Sequence, residues 1–303
     1  MNCAADEDRS RVLCGCGIDI GTSLSKIVAA RPGEELVFTL LKNNNCQDVV
    51  DYVMGMGMQF CGVTGGGALE FKHRLHHLRE IGTAAVPDVF CTNEFASWGT
   101  GVIKLLPTSS GIKLPYLLGS IGTGTSILLV NGYSITRVGG SALGGGTILG
   151  LGRAVRPGCS FEEICELASQ GKRCKVDLLL RDIYAPGEVC LAGNVTASNF
   201  GRLSGDNCPQ AAAPDVMAGI MGLVGENIAL IASGLMNTAS TRNIVYAGTT
   251  LRHNPALCEV LIQAGKLLNH NVIILERGEF TGAVGAYQLG LSNWETDSDQ
   301  FLP

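Results

Sequence analysis

Five glycine-rich turns in this sequence contain or adjoin hydroxyl residues. They are Gly21-Thr22-Ser23, Gly65-Gly66-Gly67 after Thr64, the stretch 122–126, the stretch 144–147, and Gly248-Thr249-Thr250. The backbone N–H groups of such a turn can point in one direction, and neighbouring hydroxyls add donors, so that together they form a nest for phosphate oxygens. One glycine turn says little. Several of the same composition in one chain point to a phosphate-binding site. The pattern GxxxxGK[ST] is absent, and no GxGxxG precedes an acidic residue at dinucleotide-binding spacing, so the site is expected to follow neither of those designs.

Charged residues stand beside these turns. Asp19 ends an apolar run two residues before the first turn. A carboxylate there is costly without a partner. The partner is either a magnesium ion on nucleotide phosphates, bound directly or through water, or the backbone of the turn itself. Lys26, just beyond the turn, either neutralises phosphate charge or lies on the surface. Glu94 follows Asn93 at the start of an apolar stretch with Phe95, Ala96 and Trp98. It either complements a helix dipole or, desolvated and with a raised pKa, accepts a proton. Arg137 precedes Gly139-Gly140-Ser141 and suits a carboxylate or phosphate clamp, or simple exposure. His73, His76 and His77 share helical spacing, but nothing completes a metal set, so a solvated helix face is expected. The twelve cysteines show no paired metal spacing and read as reduced, mostly buried thiols of a reducing compartment.

Periodicity outlines the elements that carry these residues. Residues 1–11 form a polar tail. Residues 12–20 and 24–30 are apolar runs joined by the first turn, a hairpin. Helical spacing covers 46–58, 68–80 and 94–106, with strand composition at 60–64 and 88–92. Pro, Ser and Gly crowd 107–113, the expected lobe boundary. Residues 116–138 then read as strand, turn, strand, Asn-Gly turn, strand, and Gly124-Thr125-Ser126 echoes Gly21-Thr22-Ser23. Helices follow from 144, at 161–170 and at 175–183. A long apolar helix, N-capped by Asp215 and interrupted by Glu226 and Asn227, runs towards Met236 and is expected in the core rather than in a membrane. Strands at 243–251 and 271–276 and a closing helix at 280–290 complete an α/β chain with lobes at 12–106 and 107–303. The balance of 22 basic and 27 acidic residues gives a net charge of −5, which argues against a nucleic-acid partner. A hydrophobic share of 46% excludes a disordered chain. No uninterrupted apolar run of about 18 residues and no signal-like N-terminus occurs, so a cytoplasmic protein without a membrane partner is expected.

Taken in order, GIDIGTSLSKIV, VTGGGALEF, EFASWGTG, GSIGTGTSILLV, RVGGSALGGGTILGLG and FTGAVGA closely resemble the type II, eukaryotic-like pantothenate kinases, as do SFEEICELASQG, VDLLLRDIY and ASNFG. The resemblance implies a two-lobed actin-like ATPase fold, ribonuclease H-like, with duplicated domains each led by a β-hairpin. It implies ATP-dependent phosphorylation of the primary hydroxyl of pantothenate, the first step to coenzyme A, with magnesium accompanying ATP, and a homodimer. It also implies roles for individual residues. Glu94 matches the general base. Asp19, Gly21, Thr22, Ser23 and Lys26 match the first phosphate motif, with Asp19 at the magnesium. Gly122, Thr123, Gly124 and Thr125 match the second motif. Gly145, Gly146 and Thr147 match the stretch approaching the nucleotide, and Phe161 and Thr249 match positions near the adenosine. Arg137 and Ser126 match pantothenate contacts, Arg137 at the carboxylate. Coenzyme A thioesters are candidate feedback ligands. The family usually has Asp-x-Gly-Gly-Thr where this chain has Asp19-Ile20-Gly21-Thr22-Ser23. A competent loop therefore requires negative φ at Thr22. An incompetent one would leave a non-catalytic nucleotide- or acyl-CoA-binding regulator, and sugar kinases of the same superfamily share the phosphate machinery.

Overall fold

The computed structural model describes residues 14–22, 24–30, 35–42, 45–83, 85–132, 134–205 and 211–299. The tail at 1–11 and Ser23 lie outside them. The chain divides into two compact units. One comprises residues up to Thr108 and those from Glu279 onward, the other Ser109–Gly278.

In the first unit, β1 (Gly15–Ile20), β2 (Leu24–Ala30), β3 (Val37–Lys42), β4 (Phe60–Thr64) and β5 (Asp88–Cys91) form a sheet of order β3-β2-β1-β4-β5. β1 runs antiparallel to β2 in a register that sets Asp19 across from Lys26. It runs parallel to β4, with Cys16 across from Cys61. Alternation sorts the side chains of β2 onto two faces. Ile27 and Ala29 join a core with Val49, Val50 and Val53 of α1 (Cys46–Met56) and Phe71 and Leu75 of α2 (Ala68–Glu80), while Val28 meets Phe280, Ala283 and Val284. α3 (Glu94–Leu105) and α8 (Thr281–Asp299) complete the unit. His73, His76 and His77 are exposed on α2, and His76 and His77 both approach Glu80. The ten cysteines among the described residues are free thiols, but only Cys16, Cys61, Cys159 and Cys165 are fully buried. The Cys16 thiol donates to Cys61 Sγ at 3.2 Å, and that bond, with burial, pushes the Cys61 thiol well above its usual pKa.

Chain order assigned the closing helix to the second lobe, yet α8 packs on β1, β4 and α3 of the first unit. Backbone-to-backbone approach explains this. A Cβ at Gly17 would overlap the Ala283 carbonyl, one at Gly62 the Ala286 carbonyl, one at Gly101 the Thr281 carbonyl, and one at Gly285 the Ser97 carbonyl. Four glycines thus let α8 lie directly against the sheet and α3.

In the second unit, β6 (Tyr116–Ile121), β7 (Thr125–Asn131), β8 (Ser134–Ser141), β11 (Asn243–Ala247) and β12 (Asn271–Ile274) form a sheet of order β12-β11-β6-β7-β8. β6 pairs antiparallel with β7 and parallel with β11, as β1 does with β2 and β4. The two sheets therefore share one topology, which extends the echo of the two hairpins to the whole sheet. α4 (Gly145–Val155), α5 (Phe161–Gln170), α6 (Ala213–Ala239) and α7 (Pro255–Leu267) surround it, and β9 (Leu178–Leu179) pairs with β10 (Thr196–Ser198). α6 is long and apolar enough to cross a membrane by composition, but most of it is buried inside this unit.

Two local expectations change. Residues 175–183 form short 3₁₀ turns and β9 rather than a helix. Buried Asp177 accepts from Arg173 Nε at 2.9 Å and from Phe200 N–H at 2.9 Å, and Asp182 accepts from Leu179 N–H at 2.8 Å. These bonds compete with helical backbone pairing. Asp215 does not cap α6. The helix begins at Ala213, with Pro214 in its first turn, and the Asp215 carboxylate accepts from Lys172 N–H at 2.8 Å. Glu226, the polar interruption of α6, meets Arg173 Nη2 at 2.6 Å.

Glycine positions give stability predictions of opposite sign. Gly62→Ala forces a methyl into the Ala286 carbonyl and should cost about 1–3 kcal/mol in urea unfolding, the usual range for overpacking. Gly55→Ala enters open space within α1 and should gain roughly 0.5–1 kcal/mol. A Gly62→Ala protein as stable as the parent would contradict the packing of α8.

Candidate active site

In the first unit, the end of β1 places a carboxylate where water hardly reaches. Asp19 is 7% exposed, and the only ion-pair partner it shows among the described residues is Lys26 Nζ, 3.6 Å from Oδ2. Burial raises the pKa of Asp19 and Lys26 opposes the rise, so the pairing only partly offsets desolvation. Glycines make the space. Gly65 has φ +88°, and a Cβ there would stand 2.8 Å from Asp19 Oδ1, while one at Gly282 would stand 2.6 Å from Oδ2. The first turn is closed by Gly21 N–H donating to the Leu24 carbonyl at 3.2 Å. Thr22 is exposed and is not among the described non-glycine residues of positive φ. The β-branched residue therefore occupies the glycine position without left-handed strain.

Glu94 opens α3 because Asn93 caps that helix. The Asn93 side chain accepts from the N–H groups of Phe95 and Ala96 at 3.0 and 3.1 Å. Although Glu94 is exposed, desolvation by its surroundings raises its pKa above the ordinary 4.5. The Asp19 carboxylate raises it further, and Lys26 opposes both. Asp19, Lys26 and Glu94, from β1, β2 and α3, thus form one electrostatic group. It can hold positive charge beside Asp19 and accept a proton at Glu94.

In the second unit, three of the glycine-threonine turns pack on one another at the C-terminal ends of β6 and β11. Gly145 N–H donates to the Gly122 carbonyl at 2.8 Å, Gly146 N–H to the Thr123 carbonyl at 3.0 Å, and Thr250 Oγ1 to the Gly122 carbonyl at 2.8 Å. Thr125 Oγ1 donates to the Leu143 carbonyl at 2.7 Å, and Thr147 Oγ1 to the Ala142 carbonyl at 3.2 Å. Gly145, Gly146, Thr125 and Thr147 therefore spend these groups on fixing the loops. Thr123 and Gly124 differ: among the described residues their N–H groups have no partner, and Thr123 is exposed. These two donors are open to an anion. Gly248, at φ +115°, brings the last turn in, since a Cβ there would overlap the Ile121 carbonyl. Thr250 belongs to the fifth glycine turn of the sequence, but its bond to Gly122 comes only from the fold.

Arg137 and Ser126 come together through a bulge. Ile127 pairs with Gly139 and Leu128 with Arg137, so Val138 is the extra residue on β8. Gly140 pairs with Ser126, and a Cβ on Gly140 would lie 2.7 Å from Arg137 Nη2 and 3.5 Å from Ser126 Cα. The exposed guanidinium thus lies over the glycine facing Ser126, with no ion-pair or hydrogen-bond partner among the described residues. Phe161 opens α5 and packs against the core of this unit, while Thr249 begins the 3₁₀ turn after Gly248.

The chain is similar to known proteins over most of its length. Residues 15–288 match the family model described as Fumble. A protein of Staphylococcus epidermidis named type II pantothenate kinase is 31% identical over 274 residues, which is 90% of this chain and 99% of the relative. Among solved structures, the activator of 2-hydroxyisocaproyl-CoA dehydratase from Clostridium difficile, with bound ADPNP, superposes with a TM-score of 0.62 at 16% identity, covering 96% of this chain and 99% of that one. A ROK family glucokinase from Streptomyces griseus, in complex with glucose and AMPPNP, gives 0.57 at 11% identity, covering 92% and 99%. These structural likenesses establish the two-lobed actin-like ATPase fold. The family match and the coverage of the relatives lead to one conclusion: this chain belongs to the Fumble family, the type II pantothenate kinases.

Proposed function

We propose that the protein transfers the γ-phosphoryl group of ATP to the primary hydroxyl of pantothenate, forming phosphopantothenate and ADP at the first step of coenzyme A biosynthesis. The observation that carries this reading is the coupled group of buried Asp19, its partner Lys26 and the raised-pKa Glu94 at the start of α3. Glu94 accepts the hydroxyl proton as the oxygen attacks the γ-phosphorus, and the β–γ bridging oxygen leaves with ADP. Lys26 and the Thr123 and Gly124 N–H groups meet charge on phosphate oxygens. Thr22 offers a hydroxyl to phosphate. Arg137, with Ser126 beside it, binds the pantothenate carboxylate through a charge-assisted hydrogen bond. Phe161 and Thr249 flank the adenosine.

Asp19 fits a magnesium ion. It supplies hard oxygen ligands, and its burial is only partly compensated by Lys26. The ion, bound directly or through water, would neutralise charge on the phosphates of ATP. A homodimer in the cytoplasm, with coenzyme A thioesters as feedback ligands, belongs to the same proposal.

Glu94→Gln should keep ATP binding and lower kcat by roughly 10²–10⁴-fold, the usual effect of removing a general base. A base must be deprotonated to work, so activity falls as pH drops through its pKa. With that pKa raised, the acidic limb of kcat/KM should lie above pH 4.5, and the residual activity of Glu94→Gln should lack it. Near-normal kcat in the variant would remove Glu94 from the mechanism.

Arg137→Ala should raise KM for pantothenate far more than KM for ATP. Equal effects on the two would reassign the guanidinium to the phosphates.

A further inference from the structure

The opposite end of the second unit's sheet, where its strands begin, carries a separate polar cavity. α6 and α7 end next to the N-terminal ends of β11 and β12, and the loops that follow border an open cavity of about 470 Å³. Arg242, which lines it, precedes β11, whereas Gly248 and its threonines follow that strand. A five-residue strand spans about 17 Å, so the cavity is distinct from the glycine-threonine turns.

Charge and hydrogen-bonding capacity define what this cavity can hold. No carboxylate lines it, and Arg242 is its one permanently charged lining group. The side chains of Arg242, Asn237, Ser240 and Asn269 have no hydrogen-bond or ion-pair partner among the described residues. His270 Nε2 lies 3.4 Å from Ser233 Oγ, a weak contact that a ligand can replace. Thr241 is already committed, donating to the Pro115 carbonyl at 2.6 Å. The ends of α6 and α7 would oppose an anion through their dipoles. Yet the backbone already covers several terminal carbonyls, with Thr241 N–H on Met236 O at 3.2 Å and His270 N–H on Gly265 O at 2.8 Å. A guanidinium hydrogen bond to an oxyanion outweighs the remaining screened dipole. Met236 and Leu268 are the only apolar lining residues, too few to hold an acyl chain or an aromatic ring.

We infer that this cavity binds a small hydroxylated oxyanion. Arg242 holds the anionic group, and Asn237, Ser240, Asn269 and His270 bond the remaining oxygens. A phosphate monoester and a hydroxycarboxylate present the same chemistry.

The test is an NMR titration of the full-length protein with glycerol 3-phosphate and, separately, with glycerate, following the histidine side chains. His270 lines the cavity, while His253 lies next to the Thr249–Leu251 turn, so the two report on different sites. The expected result is a saturable shift of His270 with at least one probe below about 10 mM, ten times the dissociation constant of a millimolar site. Arg242→Ala should weaken that response about tenfold or more, as removal of a charge-assisted hydrogen bond does. Asn237→Leu, at an exposed position of α6, is a second variant expected to weaken it. Response to glycerol 3-phosphate alone assigns a phosphate ester, and response to glycerate alone a hydroxycarboxylate. Shifts at His253 only, no saturable shift at His270, or an undiminished response in both variants would overturn the proposal.

Discussion

Taking the Asp19 carboxylate out of water at the end of β1 imposes conditions on much of the first unit. Desolvation penalises the charged form, and a single lysine, 3.6 Å away, only partly answers it. The hairpin register holds Lys26 opposite, and Gly65 and Gly282 keep the surrounding space free of side chains. Desolvation raises the pKa of Glu94 and the Asp19 charge raises it further, which helps suit a carboxylate to accept a proton. A protein that needed only stability would be better served by an apolar side chain at this position. The cost makes sense where a cation is to be brought in.

The second unit repeats the sheet order around a different end. There the hairpin loop carries no buried carboxylate. Backbone groups do the work, and loops 122–125, 144–147 and 248–250 fasten to each other through the Gly122 and Thr123 carbonyls. Fixing the loops consumes the N–H groups of Gly145 and Gly146 and leaves those of Thr123 and Gly124 with capacity. One topology thus presents charge in the first unit and neutral donors in the second, and phosphate chemistry uses both kinds of group.

Most of the fold was legible because its hairpins and helices write their boundaries locally. Asn93 before Glu94 and Ser160 three residues before Glu163 are cap signals that the structure uses. β3 carries no such local signal. It is an edge strand whose residues are exposed or half-buried, so it lacks the alternation that marks a buried strand. The stretch 175–183 has helical apolar spacing, and the partners of Asp177 and Asp182 that turn it from a helix come from tertiary structure. The place of α8 depends on glycines meeting backbone far away in the chain, as Gly17 meets Ala283 and Gly101 meets Thr281, and no local window contains that information. The site residues were legible one at a time through composition and family resemblance. Their grouping was not, since the Asp19–Lys26 register, the bulge at Val138 that turns Arg137 towards Ser126, and the bond from Thr250 to Gly122 are products of folding.

The most direct measurement is the initial rate of ADP release from Mg-ATP with and without pantothenate, with the mass of the product determined and a hexose in a parallel reaction. A pantothenate kinase releases ADP in step with a product heavier than pantothenate by one phosphoryl group, and releases little without pantothenate or with the hexose. ADP release that ignores pantothenate, follows the hexose instead, or is absent with all of them would contradict phosphoryl transfer to pantothenate by the Asp19, Lys26 and Glu94 group.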